Sequence, residues 1–182
     1  AGPLEATAAA FIGTVLLGDG PHAALRIGFE QLTGPVMAKA LEDTAFYRWP
    51  RLVALNEVGG EPGRFGLAPA AFHALMAERA ARWPEALIAT ATHDTKRGED
   101  TRLKIAALSE LAAGFRAATA RWRSWNAALV ADGAPEPLDQ HLFYQTLAGV
   151  WPADLDPADG TALGALADRL VGYMVKAGRE AK

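Results

Sequence analysis

The chain has 182 residues, a formal net charge of -3, 51% hydrophobic and 21% charged residues, and no cysteine. Such a balance describes a soluble, globular chain long enough to bury a core, not a disordered one. An acidic balance without a Lys/Arg tract argues against electrostatic nucleic-acid binding, and the missing cysteines exclude a disulfide framework and thiolate-held zinc.

Pro3 suits a first helical turn, and Leu4, Ala8, Phe11, Ile12, Val15 and Leu16 follow at helical spacing until Gly18 and Gly20. The apolar run from Ala6 to Leu17 is too short to cross a bilayer and lacks the basic flank of a signal peptide. A second helix, with Leu25, Phe29 and Leu32 on one face, is expected to break at Thr33-Gly34-Pro35. Val36 to Leu41 fits strand or helix by periodicity, and it leads into a crowd of acids and aromatics, Glu42-Asp43-Thr44-Ala45-Phe46-Tyr47-Arg48-Trp49. These residues read either as a capped helix with core aromatics or as a substrate-facing cluster. Asn56 to Gly66 is a loop with four glycines and no Gly-Lys-Ser/Thr ending, so it is no phosphate loop. Pro69 opens a helix carrying Phe72, Leu75, Met76 and Ala80, with His73 one step off that stripe.

The most informative stretch follows. Ala86-Leu87-Ile88-Ala89 is a short β-leaning run that ends in Thr90-Ala91-Thr92-His93-Asp94-Thr95-Lys96-Arg97-Gly98-Glu99-Asp100. Strand, unlike polar residues at its carboxyl end, then helix is how a parallel α/β protein presents chemistry. Glu99 and Asp100 place negative charge in the first turn of that helix, where the macrodipole favours it. Leu103, Ala106, Ala107, Leu108 and Leu111 are its expected buried side, with Gly114 as punctuation. A helix from about Phe115 to Val130 carries Trp122, Trp125 and Leu129 as a core stripe. After a linker, Leu138 to Val150 is helical with polar tips at His141, Tyr144 and Gln145, and a last helix covers about Leu163 to Ala177.

His22, His73, His93 and His141 lack the paired helical spacing of a zinc site, and no Gly-x-Ser-x-Gly elbow exists. What remains is carboxylate chemistry. An ionised Asp94 accepts hydrogen bonds and a neutral His93 can donate one, which suits the vicinal hydroxyls of a sugar, with Lys96 and Arg97 as further donors. A glycosidase needs two carboxyl groups across the scissile bond, and Glu42, Asp43, Glu57 and Asp94 are the local candidates.

The motifs Gln31-Leu32-Thr33-Gly34-Pro35-Val36-Met37-Ala38-Lys39, Glu42-Asp43-Thr44-Ala45-Phe46-Tyr47-Arg48, Asn56-Glu57-Val58-Gly59-Gly60 and Thr92-His93-Asp94-Thr95-Lys96-Arg97-Gly98-Glu99-Asp100 resemble the maltooligosyl trehalose synthase family. So do Tyr144-Gln145-Thr146-Leu147, Trp151-Pro152, Lys176-Ala177 and Arg179-Glu180-Ala181-Lys182, in order from about Gln31 to the end. The resemblance implies a cytoplasmic enzyme of the α-amylase superfamily, a (β/α)₈ barrel with helical insertions that needs no organic cofactor. Its reaction would isomerise the reducing-end α-1,4 linkage of a maltooligosaccharide to an α,α-1,1 linkage through a covalent glycosyl-enzyme intermediate. On the same resemblance Asp94 matches the sugar-binding carboxylate of a catalytic trio, His93 its neighbour, and Lys96 and Arg97 would line the pocket of the released glucose. Glu42, Asp43 and Tyr47 are carried as further substrate-binding candidates; no metal is implied.

The chain departs from the family at Ala40, where Gly is usual, and at Trp49-Pro50, where Tyr-Asn is usual. The nucleophile and acid/base motifs are not found in it. The expectation is therefore a mainly α chain with a few short strands, a barrel fragment whose partner is the remainder of its own catalytic domain. Residues 1–34 would form a helical lead-in, 35–110 the strand, loop and helix units carrying the site, and 111–182 a helical part. By itself the chain would be inactive. A non-catalytic α-glucan-binding module and a purely structural helical subdomain are the alternatives.

Overall fold

The computed structural model describes residues 2–18 and 20–181, so Lys182, which closes the last motif, lies outside the described residues. The chain divides into two compact units, residues 1–43 and 44–182.

The first unit holds α1 (Pro3–Leu17) and α2 (Ala23–Met37). Pro3 opens α1 as expected, and the Gly2 amide donates to the Glu5 carboxylate at 2.8 Å, tying the first turn. The helix does not stop at Pro35. It runs through that residue and widens into a π-helical segment, Ala38–Ala45. Proline lacks the N–H that the turn before it would use, and a wider turn just after it lets the chain stay helical instead of ending. Val36 to Leu41 is thereby helix, which resolves the ambiguity of its periodicity.

The second unit begins with a short helix α3 (Phe46–Arg48) and a 3₁₀ turn at Val53–Leu55. Then come α4 (Pro69–Arg82), α5 (Glu99–Ala107), α6 (Ala112–Trp125), α7 (Pro137–Val150) and α8 (Gly160–Glu180). Asp159 caps α8 by accepting from the Thr161 and Ala162 amides at 2.9 and 3.0 Å. Val53, Ile105, Leu142 and Ala177 form the dry centre, flanked by Tyr47, Leu52, Leu108, Tyr173 and Met174. Gly149 allows α5 to lie against α7, since a Cβ there would come within 2.7 Å of the Ile105 Cγ1.

Several expectations need correction. The run Ala86–Ala91 is irregular, not a strand, and among the described residues the only β pairing is one antiparallel bridge between Ala131 and Ala134. A strand is held by its neighbours' hydrogen bonds, and a lone parallel candidate has none to pair with; Leu87 and Ile88 are accordingly exposed. The buried side of α5 is set by Ile105, whereas Leu103 and Leu111 face outward at 66% and 63% exposure. Finally, the break between α5 and α6 falls before Ala112, so Gly114 is inside α6. Of the tryptophan stripe only Trp122 packs inward, its ring 5.4 Å from that of Tyr144, while Trp125 is exposed beneath the Arg121 guanidinium.

Candidate functional site

The candidate site is a loop, Thr90 to Gly98, between an irregular run and the N-terminus of α5. Its tip is a tight turn built by its own hydroxyls. The Thr92 amide donates to the Thr95 Oγ1 at 2.6 Å, the Thr95 amide to the Thr92 carbonyl at 3.2 Å, and the Asp94 amide to the Thr92 Oγ1 at 3.3 Å. Such side-chain-to-backbone bonds are the reason threonines flank turns. His93 and Asp94 stand exposed at that tip.

The base of the loop is held from outside. The Glu57 carboxylate accepts the backbone amides of Lys96 at 2.6 Å and Arg97 at 3.2 Å, and lies 3.5 Å from the Arg102 guanidinium. Arg102, one turn into α5, also donates to the Thr90 carbonyl at the other end of the loop. Glu57 is itself placed by the two glycines after it. Gly59 takes a φ of 69°, and a Cβ on Gly60 would come within 2.7 Å of the Glu57 carbonyl oxygen. The glycine-rich loop is thus a turn that delivers one carboxylate.

Arg97 points the other way. Its guanidinium donates to the Tyr173 hydroxyl at 2.6 Å and stacks over the ring 5.7 Å from its centroid. Burial pushes the Tyr173 phenol above its ordinary pKa, against the lowering pull of Arg97, and Tyr47 is close enough to add to the rise. Lys96, Arg97, Thr101, Thr146, Arg169 and Tyr173 are among the residues lining a cavity of about 250 Å³. Next to Glu57 in the chain, Asn56 donates to the Phe46 and Trp49 carbonyls at 2.7 and 3.1 Å. Gln145 staples the backbone beside it, accepting from the Val53 amide at 2.8 Å and donating to the Pro50 carbonyl at 2.7 Å.

Of the residues singled out by sequence, His93, Asp94, Lys96 and Arg97 share this loop, and Tyr47 packs against the same hydrophobic cluster as Tyr173. Glu42 and Asp43 belong to the first unit, where Asp43 pairs with Lys39 one helical turn away at 3.0 Å. In the aromatic cluster Phe46 is buried, Tyr47 is half-buried, and Trp49 is exposed with Arg51 over its ring. Among the described residues no group of three or more His, Cys, Asp or Glu could hold a metal ion. Among the described residues no helix is long and apolar enough to cross a membrane.

No protein-family model matches the chain. A Mycobacterium tuberculosis protein named as a maltooligosyl trehalose synthase is 43% identical over 157 residues, 85% of this chain. The solved maltooligosyltrehalose synthase of Arthrobacter ramosus is 42% identical, with a TM-score of 0.74 over 94% of this chain. The chain belongs to the maltooligosyl trehalose synthase family. It spans 19% of the length of the curated relative and 20% of the Arthrobacter chain. A further solved maltooligosyl trehalose synthase, at 32% identity, aligns with a TM-score of 0.73 over 90% of this chain.

Sequence alone does not show the part that three residues play here. Tyr173 gave no signal, because a tyrosine in a helical stripe looks like core. Gln145 reads as a polar tip, but its two backbone partners are 92 and 95 residues away in sequence. Glu57 reads from sequence as a candidate catalytic carboxylate, whereas in the structure it accepts the Lys96 and Arg97 backbone amides.

Proposed function

We propose that this chain is part of an enzyme that converts the reducing-end α-1,4 linkage of a maltooligosaccharide into an α,α-1,1 linkage by intramolecular transglycosylation. The reading rests on its family membership together with one observation: His93 and Asp94 are presented on an exposed tip whose base is braced from several sides. In that role Asp94 binds the hydroxyls of the reacting sugar and favours its oxocarbenium-like distortion, with His93 beside it. Hydrogen bonds that strengthen in such a transition state contribute on the order of several kcal/mol. Lys96 and Arg97 line the pocket for the released glucose, and Glu42, Asp43 and Tyr47 contribute further contacts to substrate.

The nucleophile and the acid/base belong, in this reading, to the remainder of the catalytic domain of a cytoplasmic α-amylase-type enzyme. The chain supplies a lead-in over residues 1–34, the site-bearing units of a (β/α)₈ barrel over 35–110, and a helical part over 111–182. Ala86–Ala91 then takes up its place in the barrel when neighbouring strands flank it, which gives the exposed Leu87 and Ile88 a setting.

The test is conversion of maltopentaose, followed by loss of reducing ends and appearance of a trehalose terminus. A family-length polypeptide carrying this sequence is expected to convert it, and the 182 residues alone are not. Product from the short chain would sink the fragment reading; none from the long one would sink the enzyme reading.

A further inference from the structure

We infer that Glu57 is a positioning residue: its carboxylate, with Arg102, fixes both ends of the loop that carries His93 and Asp94. The inference rests on the function proposed above. Nothing in the Glu57 geometry points to contact with substrate. Its Oε1 takes the Lys96 amide at 2.6 Å and the Val58 amide at 2.8 Å, and its Oε2 takes the Arg97 amide at 3.2 Å with Arg102 at 3.5 Å. Four donors on two oxygens leave little room for another role.

The same pair spans the loop. Arg102 donates through one nitrogen to Glu57 and through the other to the Thr90 carbonyl. One bridge therefore ties the residue before the turn to the amides after it, and the five residues from Ala91 to Thr95 project between fixed points. A carboxylate is suited to this work, because it is an acceptor at both oxygens whatever its rotation. The amide of a glutamine presents an NH₂ toward donors that need an acceptor, and loses the charge that Arg102 faces. Both partners are only partly exposed, with side-chain values of 18% for Glu57 and 24% for Arg102, so water competes poorly with the bridge. A sugar-binding carboxylate on a loose loop misplaces its hydrogen bonds, and a displacement of about 1 Å can cost a rate on the order of 100-fold.

The experiment compares family-length polypeptides: wild type, Glu57→Gln, Arg102→Met and the double variant. Glu57→Gln is expected to lower kcat about 10- to 100-fold with KM nearly unchanged. The double variant should lose about as much as the worse single one, since both act through one loop. Amide exchange at Lys96 and Arg97 should quicken in Glu57→Gln while the thermal midpoint moves little. Should Glu57→Gln fail to fold, Arg102→Lys keeps a charge near Glu57 and gives up the reach to Thr90, and a smaller kcat loss at constant KM is expected. Wild-type kcat in Glu57→Gln, a loss carried wholly in KM, or additive losses in the double variant would overturn the inference. A wild-type polypeptide that forms no product refutes the proposed function, and unchanged exchange at Lys96 and Arg97 then refutes the brace separately.

Discussion

The tip and the base of the Thr90–Arg102 segment are both polar and behave as opposites. At the tip, Thr92 and Thr95 close a turn on themselves and leave His93 and Asp94 exposed. At the base, Glu57 and Tyr173 come from distant parts of the chain, Glu57 to take the Lys96 and Arg97 amides and Tyr173 to take the Arg97 guanidinium, while Arg102 ties Glu57 to the Thr90 carbonyl. The lesson is that adjacency in a motif does not mean a shared role. Asp94 and Arg97 are three residues apart, yet one is offered to solvent and the other is committed to Tyr173 and Val53.

This contrast breaks most visibly with Asp94→Asn in a family-length polypeptide. Activity on maltopentaose should fall by about two orders of magnitude or more, from lost transition-state hydrogen bonds, with an unchanged thermal midpoint. A clear drop in the midpoint would mean that the tip holds the fold.

Gln145→Leu tests the base by stability instead. Two buried backbone groups, the Val53 amide and the Pro50 carbonyl, would lose their partner, at about 1–3 kcal/mol for each group left unsatisfied. Urea unfolding should show that loss, and a variant as stable as wild type would show that water replaces the staple.

The smallest expected effect is that of Tyr173→Phe, which removes the acceptor for Arg97, a bond contributing about 1 kcal/mol. It also carries a pH signature. An unfolded tyrosine ionises near 10.0, and the folded one ionises higher because it is buried. As pH rises past 10.0 the unfolded chain releases a proton that the folded chain still holds, so this stabilisation is full below 10.0 and disappears through the folded value. In Tyr173→Phe that part of the alkaline decline should vanish from a series of urea titrations.

The helices were legible because their signals are local. Pro3, Pro69 and the apolar spacing placed α1 and α4, and acids in the first turn placed the start of α5. What depended on distant partners was not. On α5 Leu103 and Ile105 are equally apolar, and Ile105 is the buried one because Val53, Leu142 and Ala177 close around it, with α7 approaching at Gly149. The run Ala86–Ala91 has strand composition, but composition supplies no neighbour. In the site, the compact motif around His93 and Asp94 is conspicuous in the sequence, while Glu57 reads only as a carboxylate in a glycine-rich loop. Its partner, the Lys96 amide, is 39 residues downstream.

The division between tip and base is tested most directly by residue-resolved amide hydrogen exchange across Thr90 to Arg102 in the wild-type chain. The Lys96 and Arg97 amides, bonded to Glu57, should exchange slowly, and His93 at the exposed turn should exchange fast. Equal, rapid exchange at all three would contradict the account, because Glu57 would then be holding nothing.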